Sequence, residues 1–204
     1  QRIRVVEAGH PVPDEAGERA SLEILEKVRR LGPDDLLLAL ISGGGSSLLS
    51  LPAPGVTMAQ LKDLTGRLLR SGADIREMNT VRKHLSAIAG GRLAAASRAP
   101  VVALIISDVV GDDPTHIASG PCASDPTTIA DAKAILAKYE ISYEGAFSES
   151  PKSLDAENRV IATAYRSLEA AAEVFRAQGI RPEILGDTIT GEAREVGCDM
   201  ARLA

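Results

Sequence analysis

The 204-residue sequence predicts an α/β domain: a three-layer sandwich built on a mainly parallel sheet. Two observations carry this. Short apolar runs recur at 3–7, 36–41, 101–107, 159–163 and 182–185, and amphipathic segments at helical spacing separate them. Buried strands alternating with such helices form a parallel sheet covered on both faces. The run at 36–41 has no polar alternation, so it reads as a strand buried on both sides.

The first helix follows Asp14 and places Leu22, Leu25 and Val28 on one side, with Ile24 and Leu31 adjoining. After the second strand comes Ser42-Gly43-Gly44-Gly45-Ser46-Ser47, where the glycines allow a tight turn and close backbone approach to a ligand. A helix starting at Ser46 would aim its free N–H groups at the same point, as in phosphate cradles. A glycine-rich corner that binds nothing has the same appearance. Neither nucleotide fingerprint is met: Leu48 stands where a dinucleotide motif needs its third glycine, and Leu48-Leu49 where a Walker A loop needs Lys-Ser/Thr.

A helix begins at Thr57, with Gln60 completing a capping box and Leu61, Leu64 and Leu68 running towards Gly72. About sixty residues separate the second and third strands, too many for one crossover helix. Further helices over 74–86 and after Gly90-Gly91 fill the gap and carry Arg76, Arg82, Lys83, Arg92 and Arg98. Such cations bind carboxylate or phosphate, although charged helix faces are more often simply solvated. His84 reads as a packing histidine; His116, in an Asp-rich loop, is a weak ligand candidate. The last helices run from Tyr165 to a stop at Gly179 and from Gly191 to the end, and 145–151 reads as a flexible loop.

The third strand leads into Ser107-Asp108-Val109-Val110-Gly111-Asp112-Asp113-Pro114. Ligands of parallel sheets bind outside the carboxyl ends of the strands, which is where Asp108 falls. A carboxylate there can hold Mg²⁺ against phosphates or take a proton from a hydroxyl. Asp112 and Asp113 share that capacity, or merely cap a turn.

Hydrophobic residues make up 45% of the chain, ample for a core, but with two Phe, three Tyr and no Trp that core is aliphatic. A net charge of -5 and the lack of a basic, aromatic-bearing stripe argue against a nucleic-acid partner. Cys122 and Cys198 form no metal-binding or disulfide pattern, which fits a reducing, cytoplasmic setting. No apolar run is long enough to span a membrane. The chain opens directly before a strand-like run and stops inside a helical one, so residues 1–204 read as one domain of a longer polypeptide, incomplete at both ends.

Taken in order, S-G-G-G-S-S-L-L, N-T-V-R-K-H-L-S with G-G-R-L-A, S-D-V-V-G-D-D-P with I-A-S-G-P and D-P-T-T, and G-E-A-R-E resemble the amino-terminal domain of the type 2 glycerate kinases, as does the opening G-H-P-V-P-D-E-A-G. The resemblance spans nearly the whole chain. It implies a Rossmann-like domain that phosphorylates D-glycerate with ATP and Mg²⁺, usually on the 2-hydroxyl, in a cleft shared with a smaller carboxy-terminal domain absent from this chain. A lysine upstream and an arginine in that second domain, implicated in the family, have no counterpart here.

On this reading Ser42, Gly43, Gly44, Gly45, Ser46 and Ser47 hold ATP phosphate. Asp108 and Arg82 are catalytic, Lys83 and Arg92 meet the substrate, and Asp108 and Asp112 hold the metal. Thr190 stands where the family often has an acidic residue. Homo-oligomerisation is left open. Two rival classes remain: an NAD(P)H-dependent hydroxypyruvate reductase, a label family members often carry but one the incomplete fingerprint does not support, and a non-catalytic anion-binding α/β module.

Overall fold

A computed structural model of the chain describes residues 3–203. Strands β1 (Leu37–Ile41), β2 (Val101–Ile106) and β3 (Ala156–Ala162) form one sheet in the order β1-β2-β3, both pairings parallel. The α/β class and the parallel sheet are therefore as the sequence predicts. Around them lie α1 (Glu15–Arg29), α2 (Gly45–Leu48), α3 (Met58–Arg70), α4 (Ile75–His84), α5 (Arg92–Ala95), α6 (Ile129–Lys138), α7 (Ala164–Ala177) and α8 (Ala193–Leu203), with a 3-10 turn at Ile117–Ser119.

Helix starts follow local chemistry. The Asp14 carboxylate accepts the Gly17 N–H at 2.8 Å, and Thr57 with Gln60 closes its capping box in both directions. Asp74 with Glu77 and Thr128 with Asp131 make two more such boxes, at the starts of α4 and α6. Helix α6 was not expected from the sequence; its Thr-x-x-Asp signature was the available signal.

Two apolar cores result. One lies under the sheet, where Leu25 and Val28 of α1, Ile88, Leu93, Ile117 and Cys122 pack on Val101, Ala103 and Ile105. The other joins α3, α4 and α6 through Leu61, Leu64, Leu68, Val81, Leu85 and Leu136. Helix α4 packs against α3 and α6 and also touches the 117–119 turn.

Three expectations need correction. Residues 3–7 and 182–185 form no strand: the first is extended without a ladder partner and tied to α1 by an ion pair of Arg4 with Glu23, and in the second Pro182 has no N–H to donate to a ladder. Strand β1 is not buried on both faces, since Leu38 and Leu40 are 51% and 75% exposed while Leu37, Ala39 and Ile41 face the core. Residues 145–151 are irregular but pinned: Ser148 N–H donates to the His84 carbonyl, Ser148 carbonyl accepts from Arg92, and Pro151 carbonyl accepts from Asp125 N–H. No helix among the described residues is long and apolar enough to cross a membrane.

Candidate functional site

Parallel pairing of β1 with β2 brings their carboxyl ends side by side, and with them the glycine loop and Asp108. The approach is close. A Cβ on Gly43 would lie 1.9 Å from Asp108 Oδ2, so the carboxylate occupies space that only glycine leaves free. A Cβ on Gly45 would lie 2.5 Å from the Ala118 Cβ, so the loop is also pressed against the 117–120 turn. Gly44 has φ +80 and begins α2.

The helix expected from Ser46 is a single turn, too short to build a substantial dipole. What the loop does offer is backbone donors: the amides of Gly43, Gly44, Gly45 and Ser46 find no acceptor among the described residues. Successive free N–H groups on a turning backbone make an anion-binding concavity.

Arg82, on α4, donates from Nη2 to the Ser46 carbonyl at 2.6 Å. No carboxylate of the described residues pairs with it, and burial lowers its guanidinium from the ordinary value. A half-buried cation without a carboxylate partner, beside unpaired amides, can attract a negatively charged group. Glycine loop, Asp108 and Arg82 are thus brought together by the fold.

Lys83 and Arg92, expected to meet substrate, point elsewhere. The Lys83 side chain is fully buried, with Nζ 2.7 Å from Asp125 Oδ1. Arg92 spends its guanidinium on three carbonyls, those of Lys83, Ala89 and Ser148, at 2.7 to 2.9 Å. The reason is helical phase: one residue step along α4 turns the side chain by about 100°, so Arg82 and Lys83 face different neighbours. Asp112, with φ 54, sits in a tight turn closed on the Val109 carbonyl. His84 is the expected packing histidine, its Nδ1 2.8 Å from the Thr80 carbonyl. His116 lies 3.9 Å from Asp113; burial, helped by Lys83, lowers its pKa.

Several residues escaped sequence reasoning. His10 sits on the glycine loop, its ring atoms 3.4 Å from where a Gly44 Cβ would be, and Ser47 Oγ fastens that segment by donating to the Pro11 carbonyl. Ser119 Oγ is 2.8 Å from Ser46 Oγ and donates to Asn79 on α4. Ala118, Ser119 and Gly120 all hold left-handed φ values of 51, 60 and 59. For the first two this costs about 1–2 kcal/mol each, strain retained where the turn braces the loop. The G-H-P and A-S-G-P strings were the visible signals, but neither reveals its partner.

An α/β domain with a glycine loop and a carboxylate at the carboxyl ends of neighbouring parallel strands is the class this geometry defines. The chain belongs to the family described as Domain of unknown function (DUF4147), whose model matches residues 1–150. A relative from Agrobacterium vitis, carrying a hydroxypyruvate reductase name, is 52% identical over all of this chain and 49% of its own length. The Glycerate 2-kinase of Pyrococcus horikoshii is 42% identical over 97% of this chain and 48% of its own. A crystal structure of glycerate kinase from Thermotoga maritima superposes with TM-score 0.82 at 42% identity, covering 96% of this chain and 49% of that one. The chain spans about half the length of these relatives.

Proposed function

We propose that this domain forms the nucleotide- and substrate-binding half of an ATP-dependent D-glycerate kinase. The observation that carries the reading is the seating of the Asp108 carboxylate over Gly43 while Arg82 donates to the Ser46 carbonyl of the same loop. Phosphoryl transfer calls for positioning and charge neutralisation rather than a covalent intermediate, and these groups supply both.

In this reading the Gly43 to Ser46 amides and Arg82 hold phosphate oxygens. Asp108 orients the glycerate hydroxyl and accepts its proton as oxygen attacks phosphorus; the new O–P bond forms as the bond to ADP breaks. Ser42 and Ser47 flank the loop, and Ser47 is committed to the Pro11 carbonyl. Mg²⁺ keeps most of its waters and asks for one or two carboxylates beside phosphate, which Asp108, reaching the space over Gly43, would supply, with Asp112, in the turn closed on the Val109 carbonyl, as the second candidate. The ion would neutralise charge on the phosphates. Transfer to the 2-hydroxyl is the expected regiochemistry.

The names of the Pyrococcus and Thermotoga relatives support a kinase over a reductase, as does Leu48 in place of the third glycine of a dinucleotide fingerprint. The test is a coupled assay of the protein as its gene encodes it, with ATP, Mg²⁺ and D-glycerate. Phosphoglycerate should form, and Asp108→Asn should lower turnover by a factor of about 100 or more. NADH-dependent reduction of hydroxypyruvate without ATP turnover would refute the reading; a silent Asp108→Asn beside an inactive Asp112→Asn would move the role to Asp112.

A further inference from the structure

Beside the glycine loop lies a cavity of about 280 Å³, bounded by Pro11 to Pro13, by one face of α3, and by Met78 and Arg82 of α4. Its volume sits near the lower end of ordinary small-molecule sites, about 300 Å³ upwards. Its walls are mostly apolar, and two large apolar side chains at its rim, Val12 and Leu69, are left 61% and 67% exposed. Its polar groups are few: Ser47, Thr65, Lys62 and Arg82. Thr65 already donates to the Leu61 carbonyl, and Ser47 to that of Pro11.

Gly66 supplies an independent sign. Glycine inside a helix is destabilising, and one is expected there only if packing demands it. Here a Cβ would meet nothing closer than Arg70 Nη1 at 3.3 Å, the movable end of a long side chain. The chain's own packing gives no reason for the missing side chain. It lines the cavity, and its absence keeps the cavity open.

We propose that this cavity receives the purine base of the nucleotide. The inference rests on the kinase reading and adds the half of the ligand that reading leaves unplaced. Two residues, Ser47 and Arg82, border both the cavity and the anion loop, so one molecule reaches both if it joins a phosphate chain to a flat, largely apolar body. Glycerate does not fit this description, because every one of its carbons bears oxygen and it has no apolar surface to bury. A purine does: Pro11, Val12 and Leu69 offer apolar surface to its faces, while Arg82 and Lys62 of the same lining supply positive charge for the phosphates.

The test compares ADP with inorganic pyrophosphate, which carries the same two phosphates without adenosine, by calorimetric titration of the protein and two cavity-filling variants, Gly66→Leu and Thr65→Phe. Wild type should bind ADP at least 10-fold more tightly than pyrophosphate. In each variant that keeps its native circular dichroism and melting temperature, ADP affinity should fall about 10-fold while pyrophosphate stays within twofold. Unchanged ADP affinity in both variants overturns the base site and leaves the phosphate loop standing. Equal weakening of both ligands also overturns it, since the loop and not the cavity was disturbed. Failure of wild type to bind either ligand removes the kinase reading and the base site together.

Discussion

Lys83 Nζ lies 2.7 Å from Asp125 Oδ1, and neither side chain reaches solvent. The pair ties α4 to the segment preceding α6, and so fixes the face that Arg82, the preceding residue, turns towards the glycine loop. Asp125 also accepts from the Thr127 amide and hydroxyl, which share its ionised charge.

Breaking this pair from one side should be costly, since the remaining charge stays buried without a counter-ion. Lys83→Met should destabilise the fold by about 3–5 kcal/mol, and the double variant Lys83→Met with Asp125→Leu by clearly less. Urea titrations of the three proteins give the comparison; equal losses in single and double variants would show that the lysine stem, not its charge, matters.

Acid should act through the same carboxyl. Burial opposes its ionisation, but the Lys83 ammonium and the Thr127 donors overcome that cost and hold Asp125 at about 2, below its ordinary 3.8. A carboxyl more acidic in the folded state contributes stability that is complete above about pH 4 and is lost as pH falls through 2. The stability difference between wild type and Asp125→Asn should therefore be constant from pH 7 to 5 and narrow between pH 4 and 2. A difference that persists undiminished at pH 2 would contradict the assignment.

Arg82 should behave in the opposite sense. Its charge is half-buried and pairs with a carbonyl rather than a carboxylate. Arg82→Met should leave the melting temperature unchanged or raise it while phosphate or nucleotide affinity drops at least 10-fold, the pattern of a group kept for binding rather than stability. A variant that melts early yet binds normally would make Arg82 a structural strut.

Within the loop, the cost of a methyl group should differ by position. Gly43→Ala forces its Cβ into Asp108, and Gly45→Ala into Ala118. The Gly43 variant should lose turnover because the carboxylate is displaced, whereas Gly45→Ala should disturb the 117–120 turn and lower melting temperature as well. Gly72→Ala, where a Cβ meets nothing but φ is +81, is the control for backbone strain alone. Normal turnover in Gly43→Ala would separate Asp108 from the loop.

Much of the fold was legible because it is written in short-range code. The capping box at Thr57 announced its helix, helical spacing announced that after Asp14, and the central strands were apparent as uninterrupted aliphatic runs. Residues 3–7 and 182–185 look like strands by the same criterion, but a strand exists only by pairing, and composition does not say whether an edge is on offer. The leucines of β1 misled in a related way: an apolar run shows what can be buried, not which face a neighbour covers. Within the candidate site, the glycine loop and Asp108 could be picked out by residue type and position, whereas Arg82, Lys83 and Arg92 were indistinguishable from one another until their partners were visible.

By itself, then, the sequence determined the α/β class, most helix boundaries, the turn made by Gly43, Gly44 and Gly45, and the strand end that carries Asp108. These depend on backbone freedom, capping and periodicity, which act within a few residues. Only the tertiary structure decided that Asp108 sits over Gly43, that Ser119 and His10 brace the loop, and that Lys83 is spent on Asp125, 42 positions away. Those contacts join segments remote in sequence. Whether a charge is free to bind a ligand depends on which opposite charge the fold brings within about 4 Å of it, a quantity no local pattern contains.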